Sequence, residues 1–241
     1  MRNRHVHAVV TAAFLALVVS VSGLIVAGHP APSSASTTRP AAAARFNARQ
    51  LAFHDAMRKL WEEHVLWTRL FIVSDVFSLP DLAPTTARLL ANQADIGHAV
   101  RPFYGAARAE HLTVLLRRHI LLAAKILAAA KAQNAGGVRR AERAWYANAN
   151  HIAGFLHRLN PAHWPLASLR TMMRMHLNLT LDEAVAELTG KYAHSVAEFD
   201  AIETEILTMA DTLSNGIIAQ FPAKFQHTAT PAARQAARQG R

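Results

Sequence analysis

Side chains that can bind metal ions occupy positions where apolar residues are expected on several predicted helices. His64, His119 and His176 each stand among apolar residues spaced three and four apart, and Asn148 interrupts a similar stripe. Burying a polar group costs free energy unless it finds a partner. We therefore expect these side chains, which come from different helices, to meet one another inside the protein.

Carboxylates and a further amide occupy comparable places. Asp200 and Glu203 are three residues apart, so they share one face of the last predicted helix. Asn92 and Asp95 are also three apart, at the edge of the apolar stripe of the second predicted helix. These groups extend the set of candidates that could converge in the interior.

Imidazoles and carboxylates that converge inside a helical bundle form transition-metal sites, and Zn, Fe and Cu are all compatible with such ligands. We therefore expect the protein to bind a divalent metal ion or a small ligand. The predicted ligands are His64, Asp95, His119, His176, Asp200 and Glu203, with Asn92 and Asn148 as secondary candidates. The alternative is a structural or protein-interaction domain of the cell envelope, in which these residues form a hydrogen-bonded polar layer that fixes the register of the helices and binds no ligand. Any metal site must be assembled from single residues, because the chain has no Glu-x-x-His, no His-Glu-x-x-His and no two histidines four apart.

Other chemistry finds little support in the sequence. There is no Gly-x-Gly-x-x-Gly and no Gly-x-x-x-x-Gly-Lys, so neither common phosphate-binding loop is present. The chain also lacks Gly-x-Ser-x-Gly and any Cys, which excludes the usual hydrolase elbow and a thiol nucleophile. We therefore expect a non-enzymatic protein, with an enzyme that uses the polar cluster as the lowest-ranked hypothesis.

The elements that must position these residues are predicted to be helices throughout. Apolar residues recur at spacings of three and four, and no segment alternates with period two for long. Pro, Gly and capping residues divide the chain, and Thr180 with Glu183 reads as a capping box at the start of the last helix. The predicted helices span roughly 43–78, 85–101, 106–133, 138–159, 165–176 and 180–221.

Two long and two medium helices with shorter pieces predict an all-α, up-and-down four-helix bundle with short additional helices. We detect no internal repeat of fixed period and no sustained heptad pattern, so a globular bundle is favoured over a rod.

The charge of the chain is concentrated at its two ends. Lys and Arg number 26 against 16 Asp and Glu, a formal net charge of +10. Residues 1–50 hold five Arg and no acid, residues 223–241 hold four basic residues and no acid, and residues 51–222 hold 17 basic and 16 acidic residues. A nearly neutral body argues against a nucleic-acid partner.

The start of the chain predicts a membrane segment. Residues 8–27 are apolar and uncharged, long enough as a helix for the roughly 30 Å core of a bilayer. Arg2 and Arg4 precede this run, so the amino end is expected in the cytoplasm and the remainder outside it. An uncleaved signal anchor and a cleaved signal peptide both fit; the protein is then either a single-pass protein of the cytoplasmic membrane or a secreted one.

Four regions follow from this organisation. Residues 1–28 are the signal anchor or signal peptide, and residues 29–44 form a linker rich in Pro, Ser and Ala. Residues 45–222 form the helical-bundle domain, which has no disulfide because the chain has no Cys. Residues 223–241 lack an apolar pattern and are expected to be a disordered basic tail.

Five distinctive segments are distributed over about 60–222, and they are HVLWTRLFIVS from His64, NQADIG from Asn92, WYANANHIAGFL from Trp145, MMRMHLNLT from Met172 and MADTLSNGIIAQFP from Met209. Together these segments resemble an uncharacterised bacterial family of exported or membrane-anchored helical bundles. The resemblance implies a helical bundle and an export signal, and it implies no particular activity. It also implies that His is common in the family at the position of Glu203.

Overall fold

A computed structural model describes residues 46–226, and all its regular elements are helical. The six α-helices are α1 Ala48–Phe77, α2 Leu82–Tyr104, α3 Ala106–Lys131, α4 Ala135–Leu159, α5 Leu166–Leu188 and α6 Tyr192–Gln220, followed by a 3₁₀ turn at Pro222–Phe225. The all-α prediction is confirmed for these residues. The predicted apolar segment, the linker and nearly all of the predicted basic tail lie outside the described residues.

The helices form a closed ring in chain order. Each helix packs against its two neighbours in the sequence, and α6 packs against α1. The connections are short, down to the single Gly105 between α2 and α3, so successive helices run antiparallel. Because α1 also contacts α3 and α5, the odd-numbered helices approach one another at the centre of the ring.

The ring is closed by contacts between the two ends of the domain. Asn47 caps α1 by accepting hydrogen bonds from the backbone N–H groups of Arg49 and Gln50. The Asn47 amide donates to the carbonyl of Phe225 beyond α6 at 3.2 Å. Arg58 on α1 holds both carboxylate oxygens of Asp211 on α6 at 2.7 and 2.8 Å. These contacts fix the first helix against the last.

The predicted four-helix bundle with short additional helices was wrong in its number of full-length helices, because all six helices are similar in length. They contain 23 to 30 residues, and α2 and α5, expected to be short, contain 23 each. The helix α2 continues past Pro102 to Tyr104, so the boundary predicted at Arg101 was wrong. A proline removes only one N–H group, and the last turn still forms because Gly105 N–H donates to the Arg101 carbonyl.

The predicted capping box at Thr180 was wrong. Thr180 lies inside α5, and its hydroxyl donates to the carbonyl of His176 at 2.8 Å instead of capping a new helix. The break comes at Gly190, whose φ of +73° lies in the left-handed region that ends helices. As a result α5 carries a long buried face that includes Glu183 and Glu187.

None of the six helices contains an apolar stretch long enough to cross a bilayer.

Candidate functional site

Three buried imidazoles lie at the centre of the ring, one on each odd-numbered helix. His64, His119 and His176 are only 3 to 5% exposed. The ring centroid of His176 lies 5.7 Å from that of His64 and 6.3 Å from that of His119. The structure therefore brings together the three histidines that the sequence predicted to meet, and we call them the imidazole cluster.

Each imidazole Nδ1 atom lies within hydrogen-bonding distance of a polar side chain on the next helix of the chain. The three pairs are His64 with Gln93 at 3.2 Å, His119 with Asn148 at 3.1 Å and His176 with Glu205 at 3.2 Å. In all three pairs the two residues are 29 positions apart. The hydrogen bonds lie within a helical hairpin, whereas the contacts between imidazole rings join different hairpins.

The constant spacing reflects a threefold repeat of helical hairpins, α1–α2, α3–α4 and α5–α6. Each histidine lies near the middle of the first helix of its hairpin, at a nearly constant distance from the end of that helix. Each partner likewise lies near the middle of the second helix. The chain thus contains a repeat that the sequence patterns did not disclose. Its period is not constant, because the spacing from His64 to His119 differs from the spacing from His119 to His176.

The hydrogen-bond partners determine which ring nitrogen is free. Asn148 Oδ1 can only accept, so Nδ1 of neutral His119 carries the hydrogen and its Nε2 keeps a lone pair. Within residues 46–226, the cluster makes its side-chain hydrogen bonds through Nδ1. His119 therefore presents an unengaged acceptor nitrogen.

Gln93 is the least satisfied of the three partners. Its Nε2 has two hydrogens but lies near three acceptors, which are Nδ1 of His64, the carbonyl of Leu89 and Oδ1 of Asn92. Its Oε1 is buried and has no partner among the described residues. A rotation of this amide would let Oε1 accept from His64 Nδ1–H, which would give His64 the tautomer found at His119.

Unpartnered polar atoms concentrate around the imidazole cluster. Of six such buried side-chain atoms in residues 46–226, four are Trp61 Nε1, Gln93 Oε1, Trp145 Nε1 and Glu205 Oε1. The Trp61 ring lies 5.8 Å from that of His64, and the Trp145 ring lies 5.2 Å from that of His119. An ion, a water molecule or a small polar ligand could use this hydrogen-bonding capacity.

A small cavity adjoins the cluster one helical turn along the odd-numbered helices. It is about 20 Å³ in volume, and a space of that size holds about one water molecule. Thr68, Ala123 and Thr180 line it, and each lies four residues after one of the histidines. The rest of the lining is mainly apolar, and the hydroxyls of Thr68 and Thr180 donate to the backbone carbonyls of His64 and His176.

Burial keeps two of the imidazoles neutral. It lowers the pKa of His64 well below its usual range, and the nearby His176 and His119 lower it further. Burial also lowers the pKa of His119 to about 3, with a further contribution from His176 and an opposing one from the hydrogen bond to Asn148. Neutral imidazole is the form that binds metal ions, so these two ligands need lose no proton at pH 7.

A second polar cluster lies beyond the imidazole cluster, toward the carboxyl ends of α1 and α5. Arg69 Nη1 binds Glu183 at 2.6 Å and the Ser195 hydroxyl at 3.0 Å. Ser195 in turn donates to Glu187 at 2.6 Å. Burial raises the pKa of Glu183 to about 7 and Glu187 adds to the rise, whereas Arg69 opposes it. We call these four residues the arginine cluster.

Three of the predicted ligands lie apart from the imidazoles. Asp95 is half-buried and pairs with Arg88 at 3.2 Å, Asp200 is exposed, and Glu203 is half-buried. The residues that reach the histidines from α2 and α6 are instead Gln93 and Glu205. Each lies two positions from a predicted ligand, and two positions turn a side chain by about 200° around a helix.

The two secondary candidates are both buried beside the histidines. Asn148 binds His119, and Asn92 donates to the carbonyl of Leu60 at 3.0 Å and accepts from Gln93. The spacing from His119 to Asn148 was available in the sequence. Applied to the other two histidines, the same 29 positions lead to Gln93 and Glu205.

As the side chains stand in residues 46–226, no group of three or more His, Cys, Asp or Glu residues is arranged to hold a metal ion. The comparisons with known proteins add no assignment, since no family model, curated protein or solved structure matches the chain.

Proposed function

We propose that this protein binds a divalent transition-metal ion through the Nε2 atoms of His64, His119 and His176, inside a bundle tethered to the outer face of a membrane by residues 8–27. One observation carries the proposal. The three imidazoles occupy equivalent positions in three hairpins, and each is held through Nδ1 by a side chain of the following helix.

Holding a histidine through Nδ1 is the usual support for a metal ligand. A hydrogen bond at one ring nitrogen fixes the tautomer and the ring orientation, and it raises the basicity of the other nitrogen. Asn148 and Glu205 meet this requirement as they stand, and Gln93 would meet it after rotation of its amide. Glu205 places a buried carboxyl group beside His176.

The ring separations are close to those of a metal-bound set. Two imidazoles on one ion have centroids roughly 5 to 5.5 Å apart, given metal–nitrogen bonds of about 2.0 to 2.1 Å. The separations of 5.7 and 6.3 Å exceed the upper value by less than about 1 Å. We propose that side-chain rotations bring His64 and His119 each closer to His176 around one ion. Three imidazoles leave a fourth position open on Zn, and Fe and Cu also accept nitrogen ligands.

The proposed location rests on the sequence. The positive residues ahead of the apolar run at 8–27 favour export of everything that follows it. The absence of Cys suits a domain held by its helical core in an oxidising compartment.

The metal proposal is tested by elemental analysis and by cobalt titration. The full chain would be purified without an affinity tag, beside His64→Ala and His119→Ala. His98→Ala and His151→Ala are matched controls, because both histidines are exposed. We expect about one ion per chain in the wild type and controls, and a tetrahedral Co²⁺ absorption spectrum that the two cluster variants lose. Equal metal content in all five proteins, or none in the wild type, would overturn the proposal.

The second candidate function is structural: the imidazoles form a hydrogen-bonded layer that fixes the register of the hairpins. It is favoured by the pairing of every Nδ1 atom within its own hairpin. Thermal unfolding with and without Zn²⁺ separates the two functions. A metal site raises the stability of the wild type by about 2.7 kcal/mol at a hundredfold excess over Kd, whereas a structural layer gives no rise. His119→Ala should abolish any rise, and His151→Ala should keep it.

A further inference from the structure

The charge of the domain is divided unequally among the three hairpins. Residues 106–159, the α3–α4 hairpin, hold nine Lys and Arg against two acids. Residues 46–104 hold six of each sign, and residues 160–226 hold four basic residues against eight acids. The near neutrality of the domain as a whole therefore conceals one strongly basic hairpin.

The basic residues of the α3–α4 hairpin face solvent and are almost all free of ion pairs. Lys131 pairs with Asp75 at 3.5 Å, and no other basic residue of this hairpin forms an ion pair with another described residue. Of the two acids, Glu142 is buried and only Glu110 is exposed. The eight exposed residues without an ion pair are Arg108, Arg117, Arg118, Lys125, Arg139, Arg140, Arg143 and Arg158.

Apolar side chains are exposed among these charges on α3. Val114 is 55% exposed and Leu121 is 49% exposed. With Arg118 and Lys125 they follow the spacing i, i+4, i+7, i+11, which lies along one face of a helix. Together with Arg117 they line a shallow, open concavity. A face that combines unpaired cations with exposed aliphatic groups differs from an ordinary solvated helix surface.

We infer that this basic face of α3 lies against an anionic phospholipid surface. Helices that lie in a membrane interface carry Lys and Arg on a polar face and apolar side chains beside them, and anionic lipid strengthens their binding. The arginines would pair with lipid phosphates, and Val114 and Leu121 would enter the interface between the headgroups.

The predicted membrane segment would hold the helical domain close to a bilayer. The predicted membrane segment ends at Ala27 and α1 begins at Ala48, so the segment 28–47 joins them. Fully extended, this segment spans at most roughly 65 to 70 Å, which lets the bundle turn its side to the membrane. The inference rests on the membrane placement in the proposed function and is independent of metal binding.

A nucleic acid is the less suitable anionic partner. The exposed residues of α3 and α4 include no Phe, Tyr or Trp on which bases could stack. Val114 and Leu121 would also find no apolar surface along a phosphate backbone.

The absence of Cys allows a single fluorescent label to be attached to the full chain. Leu121→Cys, labelled with an environment-sensitive fluorophore, would be reconstituted in nanodiscs of phosphatidylcholine alone or mixed with phosphatidylglycerol. The matched site is Val196→Cys on α6, which is 52% exposed and lies in the acidic hairpin. We expect a blue shift and quenching by spin-labelled lipid at position 121 only, only with phosphatidylglycerol, and reversed by high salt.

Charge reversal supplies the second arm. Arg117→Glu, Arg118→Glu and Lys125→Glu together should abolish the signal at position 121. The control reverses three basic residues of the α5–α6 hairpin, Arg170→Glu, Arg174→Glu and Lys191→Glu, and should leave the signal unchanged. An equal signal in both lipids, no effect of the first reversal, or a response to duplex DNA in place of lipid would overturn the inference.

The same samples separate this inference from the predicted tether. Elution of the chain with the nanodiscs reports insertion of residues 8–27, whereas the label reports contact of the basic face. If the chain does not insert, phosphatidylglycerol vesicles added to the soluble chain must still shift the label at position 121, or the inference is wrong.

Discussion

The imidazole cluster and the arginine cluster are both polar, largely buried and built in part on α1 and α5. They differ in how many of their buried polar atoms have hydrogen-bond partners. In the arginine cluster every side-chain polar atom that is fully buried has a partner among the described residues. Four unpartnered atoms surround the imidazoles. A complete network is what helix packing requires, whereas residual capacity indicates a place for something else to bind.

The two clusters also differ in charge. The arginine cluster holds one guanidinium and two carboxyl groups, so its stability depends on protonation and on the ion pair. In the imidazole cluster, burial keeps His64 and His119 neutral. This difference makes the response of each cluster to substitution and to pH predictable.

The largest effect is expected from removal of the guanidinium. Arg69→Met would leave Glu183 and Glu187 buried without their cation, which should lower the free energy of unfolding by about 3 to 5 kcal/mol. Urea unfolding at pH 7 measures the loss. Lys59→Met is the control, because the Lys59 side chain is 75% exposed and should contribute less than about 1 kcal/mol. A loss of similar size in both variants would show that Arg69 contributes no more to stability than an exposed lysine does.

Acid should destabilise the wild type through His119. The pKa of this imidazole is about 3 in the folded state, below its ordinary 6.5, so the unfolded chain binds more protons between these values. The stabilisation that arises because the folded state keeps His119 neutral is fully present above pH 6.5, and it is lost as the pH falls toward 3.

Between pH 7 and 4 the contribution of His119 to this loss is about 3 kcal/mol. The free energy of unfolding would be measured by urea unfolding at a series of pH values. His119→Gln should lose this part of its dependence on pH, and His151→Gln at the surface should retain it. An unchanged slope in His119→Gln would mean that this imidazole is not held neutral.

Glu183 should also make the stability of the protein depend on pH, but to a smaller extent and in the opposite direction. Its folded pKa of about 7 exceeds the ordinary 4.5, so the native state binds more protons between these values. The resulting stability is present below pH 4.5 and is lost as the pH rises through 7, by about 2 to 3 kcal/mol.

Glu183→Gln should therefore gain stability relative to the wild type as the pH rises from 4.5 to 8, by up to that amount. Glu62→Gln, at an exposed position, should follow the wild type over the same range. If the difference between Glu183→Gln and the wild type does not vary with pH, Glu183 is ionised throughout and the arginine cluster is less buried than it looks.

The helical class and most boundaries could be predicted because their signals are local. Apolar spacing of three and four marks a helix wherever it occurs, and Pro80, Gly136 and Pro161 lie at or near helix ends in the structure. The capping box predicted at Thr180 was wrong because a capping threonine and a threonine that donates to its own helix have the same sequence pattern. The break at Gly190 depends on a positive φ that glycine permits but does not require.

The candidate site was predictable in part for the same reason. His64, His119 and His176 stand out because each breaks an apolar stripe, and the stripe itself indicates the buried face. On α2 and α6 several polar residues lie near the edges of the stripes, and the sequence does not show which of them reaches the interior. A residue two positions from the correct one lies on the opposite side of the helix. Asp95 and Glu203 were predicted in this way, each two positions from the residue that contacts an imidazole.

The sequence by itself determined that the chain is helical, that its charge is concentrated in particular stretches, and that three histidines face inward. Each of these follows from local order along the chain. Only the tertiary structure decided that six helices close into three equivalent hairpins, that Gln93, Asn148 and Glu205 meet the imidazoles, and that Lys131 of the basic hairpin pairs with Asp75 of another hairpin. Those relations join residues that are tens of positions apart, and packing alone brings them within a few ångströms of one another.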